Sequence, residues 1–232
     1  MQTCHVLCLG VVPYQQAWDL QAQLAGQIAT GELPPTLLLL EHPHTYTFGR
    51  RGQSANLLWG QAELKQRGVQ VYWVDRGGDV TYHGPGQLVG YPLIPLKPVV
   101  MASSGQSGAT ILPQADYVGY IRQLEQVLIQ ALHQFDLPAE RIKHLTGVWV
   151  KRSKIAAIGV KVDAHGVTRH GFALNVAPDM SYWQGIIGCG LAGFTVTSMA
   201  ELLPAPPPME QVKQAVISAF EAVFNLECLP FT

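Results

Sequence analysis

Between Lys154 and Val176 the chain reads KIAAIGVKVDAHGVTRHGFALNV, two runs of alternating small, β-branched and polar residues separated by a short turn at His165-Gly166. Such a pattern is a pair of strands, Lys154 to Val162 and Val167 to Val176, and a helix is the wrong period for it. Successive side chains of a strand point to opposite faces, which puts Lys154 on one face with Ala156, Ile158, Val160 and Val162, and Lys161 on the other. Lys154 therefore heads an apolar face rather than a solvated one.

A strand pair with an apolar face needs a larger sheet and covering helices, and the rest of the chain supplies both. Val6 to Val12 reads as a first strand, ended by Pro13 before a helix from about Tyr14 to Thr30 in which Leu20, Leu24 and Ile28 share a side. Leu37 to Leu40 is a short continuous apolar run of the kind that fills a fully buried strand, and Val69 to Val74 repeats it. The intervening EHPHTYTFGRRG reads as a loop.

Tyr117, Ile121, Leu124, Leu128, Ala131 and Phe135 recur at helical spacing from Asp116 until Leu137-Pro138, and a further helix follows Pro206 to Pro208. Around 97–115 the chain lacks periodicity, with SSGQSGAT at its centre, and reads as a flexible excursion that could act as a lid. No internal repeat is visible. The expected fold is one α/β (α+β) domain over residues 1–232, a mixed β-sheet flanked by helices. With 48% hydrophobic and 13% charged residues, a chain of this length buries a substantial core.

The 15 basic and 16 acidic residues leave a formal net charge of -1, so no bulk attraction to nucleic acid or to an anionic membrane is expected. The first residues lack a basic n-region, and Leu37 to Leu40 is far too short to span a bilayer. The expected location is the cytoplasm, where Cys4, Cys8, Cys189 and Cys228 stay reduced.

Two constellations could carry chemistry. The span from Arg76 to Gln87, RGGDVTYHGPGQ, combines glycines that let backbone approach a ligand with polar side chains at Arg76, Thr81, Tyr82, His83 and Gln87. It reads as a substrate-binding loop or as a glycine-rich turn whose polar groups cap backbone, and its spacing is neither a dinucleotide fingerprint nor a phosphate loop. The second constellation is Cys189, flanked by Gly188 and Gly190 in a segment open to substrate.

A free thiol titrates at about 8.5 and attacks as the thiolate, so a neighbouring lysine such as Lys154 would activate it. Taken by themselves, a cysteine is as readily a small buried hydrophobe and a lysine a solvated charge. Cys4 and Cys8 with His5, and His42 with His44, have too few partners for a closed metal shell, and His42 and His44 fit capping or a pocket wall better. Cys228 reads as a packing residue. No metal or cofactor is expected.

Together with GVVPY at 10–14, LEHP at 40–43, TFGR at 47–50, the run from Arg76 to Tyr91, KIAAIG at 154–159, HGFALN at 170–175 and Cys189-Gly190 before VTS at 196–198, the chain resembles the octanoyl-[carrier protein]:protein octanoyltransferases. The resemblance runs over most of the chain. It implies a fold like the catalytic domain of biotin and lipoate protein ligases. It implies Cys189 as the acyl-thioester nucleophile and Lys154 as the residue that lowers its pKa and moves its protons.

It also implies a substrate pocket lined by Arg76, Gly77, Gly78, Asp79, Val80, Thr81, Tyr82 and His83, by Ala157, Ile158 and Gly159, and by Gly171, Phe172 and Ala173. The implied donor is octanoyl-acyl carrier protein. The implied acceptors are apo lipoyl domains of 2-oxoacid dehydrogenase complexes and the glycine cleavage H protein. A monomer is the default expectation. Exposed Arg50, Arg51, Lys143, Lys151 and Arg152 are candidates for the patch that meets an acidic carrier. Gly188 stands where the family often has proline, and the excursion at Met101 to Thr110 is longer than usual. The rival readings are an ATP-dependent lipoate or biotin ligase, which would not need Cys189, and a non-catalytic carrier-protein binder.

Overall fold

The computed structural model describes residues 2–96, 98–99, 114–188 and 195–231, the side chains at 98–99 and 114–115 excepted. Strand β1 (Gln2–Val11) leads into helix α1 (Tyr14–Ala29), then come strands β2 (Thr36–Glu41) and β3 (Thr45–Phe48). Helix α2 (Gln61–Gln66) precedes strands β4 (Gln70–Trp73), β5 (Val80–His83) and β6 (Gln87–Leu93). A short antiparallel pair, β7 (Pro98–Val99) and β8 (Gln114–Ala115), stands before helix α3 (Tyr117–His133). Strands β9 (Val148–Val150), β10 (Ser153–Val162), β11 (Thr168–Asn175) and β12 (Thr195–Val196) follow, and helices α4 (Met199–Leu202) and α5 (Met209–Phe224) lead to strand β13 (Leu226–Pro230).

The main sheet runs β12-β10-β11-β6-β2-β1-β13, with β9 also paired to β10. It is mixed: β10, β11, β6 and β2 are antiparallel neighbours, whereas β1 lies parallel to both β2 and β13. Strand β2 explains why one sheet serves two cores. Leu37 and Leu39 pack with α3 and α5 on one face, and Leu38 and Leu40 pack with α1 on the other. All four are buried, each worth about 1.5–3 kcal/mol of apolar transfer. The continuous apolar run is thus two alternating half-runs, as expected for a strand covered on both sides.

A second sheet, β4-β3-β5, carries its own core of Tyr46, Phe48, Leu64, Val80 and Tyr82. It corrects two readings of the sequence. The expected loop EHPHTYTFGRRG contains β3, because Thr45-Tyr46-Thr47-Phe48 are strong strand formers paired on both sides and wholly buried. The glycine-rich span likewise contains β5 and the start of β6, so its irregular parts are 76–79 and 84–86.

Two further expectations need adjusting. Helix α3, capped by the Asp116 carboxylate accepting from the Gly119 N–H at 2.7 Å, ends at His133 rather than at Leu137-Pro138. Asp136 turns the chain with φ of 58°, which brings Leu137 into the core. In β10 the alternation is broken by a register shift between Lys154 and Ala156 opposite β9. Ile155 and Ala156 consequently both enter the core, and Lys154 shares its cavity with Ala157 and Ile158 instead of sharing one face with Ala156, Ile158, Val160 and Val162. Among the described residues no helix is long and apolar enough to cross a membrane. The sequence excursion at Met101–Thr110 lies outside the described residues.

Candidate active site

The three expected segments meet. A narrow slot opens between the two sheets, walled by Arg76, Gly77, Gly78, Asp79, Thr81 and His83 on one side. Ala157, Ile158 and Gly159 of β10 and Gly171, Phe172 and Ala173 of β11 form the other. Val80 and Tyr82 do not line it: in a strand, alternate side chains turn away, and these two pack into the core of the small sheet. The slot also takes in Tyr14, Tyr91 and His170, which sequence reasoning did not place there. All three sit at the ends of motifs quoted above, so the motifs held the signal, but nothing in their spacing pointed into a pocket.

The histidines and tyrosines in and behind the slot are held uncharged. His42 is fully buried; its Nδ1–H donates to the Val12 carbonyl at 2.7 Å, which leaves Nε2 to accept from the Tyr91 hydroxyl at 2.7 Å. Burial pushes His42 down to about 4. Burial, and the nearby His42, push His83 well below the ordinary histidine range, and burial raises the Tyr14 and Tyr91 phenols.

His170 is lowered by burial too, although its Nε2–H donates to Asp75 Oδ1 at 2.7 Å. That bond, with Lys161 Nζ donating to Asp75 Oδ2 at 2.5 Å, holds the Asp75 carboxyl well below the usual range. Lys161 is thereby committed away from Lys154. Arg76 turns its head out of the slot, donating from Nη2 to the Thr47 carbonyl at 2.5 Å and hydroxyl at 2.9 Å. Asp79 accepts from Asn56 Nδ2 at 2.5 Å and from the Val80 N–H at 2.7 Å. What is left to line the interior is largely hydrocarbon and aromatic surface.

The slot adjoins a wider, more polar mouth lined by Arg51, His144, Leu145, Thr146 and Lys154, and the two share Gly78, Asp79, Ala157 and Ile158. Lys154 is 8% exposed, and its Nζ stands 4.8 Å from the centroid of the buried Trp149 ring. A desolvated contact of that kind is worth about 2 kcal/mol. The run from His144 passes tightly over this lysine. A Cβ at Gly147 would come within 2.7 Å of the Ala156 carbonyl and 3.3 Å of Lys154 Cε, and φ there is 117°. The Gly147 N–H donates at 3.1 Å to Glu125, a fully buried carboxylate paired with Arg122 and Arg141.

Cys189 lies outside the described residues, but both flanks of its segment are tied to the mouth. On the near side the Ile187 N–H donates to the Asn56 carbonyl at 2.9 Å, and Asn56 holds Asp79. On the far side Thr195 and Val196 pair with Ser153 and Lys154, and the Thr197 N–H donates to the Lys154 carbonyl at 2.9 Å. The other cysteines are free thiols well away from this arrangement: Cys4 and Cys228 are register partners in β1 and β13, and Cys8 is exposed. Among the described residues no group of three or more His, Cys, Asp and Glu side chains could hold a metal ion.

Residues 13–221 match the lipoyl protein ligase A/B catalytic domain. The chain is 44% identical to an octanoyltransferase of Rubrobacter xylanophilus, covering 93% of this chain and 91% of that one. It is also 44% identical to an octanoyltransferase of Chloroflexus aggregans, covering 97% of each. Among solved structures, a lipoate-protein ligase A bound with ATP superposes with a TM-score of 0.75 at 15% identity, over 100% of this chain and 90% of that one. A putative lipoate protein ligase of T. acidophilum with bound lipoic acid gives 0.71 at 15%, over 100% and 90%. At such identity these two speak for the fold alone, whereas the match of domain and the near full-length relatives reach further. With near full-length relatives of that name and the matching catalytic domain, the chain is an acyltransferase and belongs to the octanoyltransferase family.

Proposed function

We propose that the chain transfers an octanoyl group from octanoyl-acyl carrier protein to a lysine of apo lipoyl domains, in the cytoplasm and through an acyl-thioester on Cys189. The Cys189 thiolate attacks the carbonyl of the donor thioester, the new C–S bond forms, and the carrier's sulfur leaves with a proton from Lys154. The acceptor's amine then attacks the acyl-cysteine; its nitrogen gives up a proton to Lys154 and the Cys189 thiolate is regenerated. A thioester is exchanged for an amide, so no nucleotide is consumed. The aliphatic chain lies in the slot, where burial of CH2 groups is worth about 0.8 kcal/mol each.

The observation that carries this reading is the double anchorage of the Cys189 segment, through Ile187, Asn56 and Asp79 on one side and through Thr195, Val196 and Lys154 on the other. It confines the ends of that segment to the rim above the slot. Arg51 lines the mouth, and Arg50, Lys143, Lys151 and Arg152 are exposed; such cations would favour acidic carriers.

Intact-protein mass spectrometry after mixing with octanoyl-acyl carrier protein, without ATP, tests the proposal. Wild type should gain the mass of one octanoyl group, released by added thiol, and Cys189→Ser should gain none that thiol releases. A wild type that modifies the lipoyl domain without ever carrying the adduct would overturn covalent catalysis.

A further inference from the structure

Gln87 and Asn175 face each other across β6 and β11, are 1% and 3% exposed, and belong to no part of the chemistry described so far. Their side chains form the middle of a polar line with one direction throughout. The Thr197 carbonyl can only accept, so Asn175 presents its amino group there, Nδ2 donating at 2.9 Å. Asn175 Oδ1 must then face Gln87, whose Nε2 donates to it at 2.9 Å and to the Tyr82 carbonyl at 3.0 Å. Gln87 Oε1 in turn accepts at 2.9 Å from His83, fixing that ring's proton on Nδ1.

His83 Nε2 is left to accept from the Thr47 hydroxyl at 3.3 Å, and the Thr47 oxygen itself accepts from Arg76 at 2.9 and 3.2 Å. Every amide, ring and hydroxyl orientation follows from its neighbour. At one end stands Arg76 on the wall of the slot; at the other, Thr197 donates its N–H to the Lys154 carbonyl.

We infer that Asn175 is a positioning residue for the reaction: through Thr197 it fixes the register in which β12 returns beside Lys154, and through Gln87 it ties that register to the wall of the slot. The inference rests on the proposed role of Lys154 toward Cys189. A buried polar line that merely fills space would tolerate any satisfied arrangement. This one has a single permitted polarity, and its end is the backbone of Lys154. Burial keeps His83 neutral at working pH, so the line keeps that polarity throughout the range in which the enzyme would turn over.

The test uses near-isosteric reversals of polarity. Asn175→Asp and Gln87→Glu each replace a donating amino group by an accepting oxygen, opposite the Thr197 carbonyl in the first case and opposite Asn175 Oδ1 in the second. Lys154→Ala and Tyr120→Phe serve as references, the latter because Tyr120 makes buried hydrogen bonds to Pro92 and Thr168 in another part of the core. The readouts are the pH midpoint of Cys189 alkylation by iodoacetamide and the split of octanoyl transfer between kcat and donor KM, in proteins with native near-ultraviolet circular dichroism.

Asn175→Asp and Gln87→Glu should both raise the alkylation midpoint toward that of Lys154→Ala. Each should lower kcat on the order of 10- to 100-fold, the range for misplacing a reacting group by about 1 Å, and leave donor KM within about twofold. Tyr120→Phe should lose stability without moving the midpoint. If Lys154→Ala shifts the midpoint and the two reversals do not, positioning by Asn175 is wrong while the Lys154 role stands. If Lys154→Ala leaves it unmoved, the Lys154 role fails and the positioning with it. Should Asn175→Asp not fold, Gln87→Glu carries the same decision.

Discussion

The slot and the mouth share four residues, Gly78, Asp79, Ala157 and Ile158, yet they are opposite environments. In the slot His83 and His170 are driven toward neutrality by burial, and the heads of Arg76 and Asp79 are turned to protein partners. At the mouth Arg51, His144 and Lys154 face a wider opening. The difference lies in what stands behind the lining. The slot is backed by β10, β11 and β6, hydrogen-bonded neighbours in the main sheet, whereas the mouth is lined by the irregular stretch His144, Leu145 and Thr146. On the proposed function, specificity for an aliphatic chain and reception of a charged carrier protein are separate physical tasks in adjoining cavities, and they should fail separately.

The largest effects should come from the slot's backing. At Gly171 a Cβ would lie 2.1 Å from the Gly90 carbonyl and 2.7 Å from Pro92 Cδ, all main-chain or ring atoms of β6 that cannot step aside. Gly171→Ala is expected to cost at least about 3 kcal/mol, read as a lower urea midpoint at unchanged slope. Across the slot, a Cβ at Gly77 meets its nearest neighbour, the Val160 carbonyl, at 3.5 Å, so Gly77→Ala should stay within about 0.5 kcal/mol. Equal losses at both would mean the two walls are not so different.

Neutrality of the slot has a signature in pH. His42 is pushed down to about 4 in the folded protein, against about 6.5 unfolded. The unfolded chain therefore binds the proton first, and stability is present above about pH 6.5 and lost as pH falls toward 4. For a fully buried ring the loss is on the order of 3 kcal/mol. Urea titrations through that window should show the decline, and His42→Gln should flatten it. A wild-type curve level between pH 6.5 and 4 would refute the uncharged floor.

The smallest effect belongs to the mouth. Arg51→Glu should raise donor KM about fivefold at low salt, fade as ionic strength shortens the Debye length, and leave stability within about 0.5 kcal/mol. An effect that persists undiminished at about 0.5 M salt would assign Arg51 to packing instead.

The Arg76–Gln87 wall of the slot was legible from its glycines and polar side chains, whereas the walls at Ala157–Gly159 and Gly171–Ala173 came from the family resemblance alone. Glycines 159 and 171 stand where a Cβ would strike the Gly77 and Gly90 carbonyls, at 3.0 and 2.1 Å, contacts that only the folded chain creates. Periodicity found α1 and α3, which bury a regular stripe; a continuous apolar run found β2, and the prolines at 206–208 marked the start of α5. It failed at β3 and β5, short strands whose flanking His, Pro and Gly look like loop chemistry and whose partners are distant in sequence. It also misplaced the faces of β10, since a register shift set by β9 leaves no mark on the composition of β10 itself. Tyr14, Tyr91 and His170 became pocket residues through tertiary packing: Tyr91 by its hydroxyl's bond to His42, His170 by φ of 58° and the Gln21 side-chain Oε1 accepting its backbone N–H at 2.7 Å.

Strand β1 is hydrogen-bonded on one side by β2 and on the other by β13, which follows every other described strand and helix. During synthesis, then, the outer edge of β1 stays open until all of those elements and β13 itself have left the ribosome. An open edge pairs readily with other chains, and the exposure outlasts the synthesis of every element between the two strands. The parallel pairing that closes the sheet also sets when a nascent copy of this enzyme stops being a hazard to its neighbours.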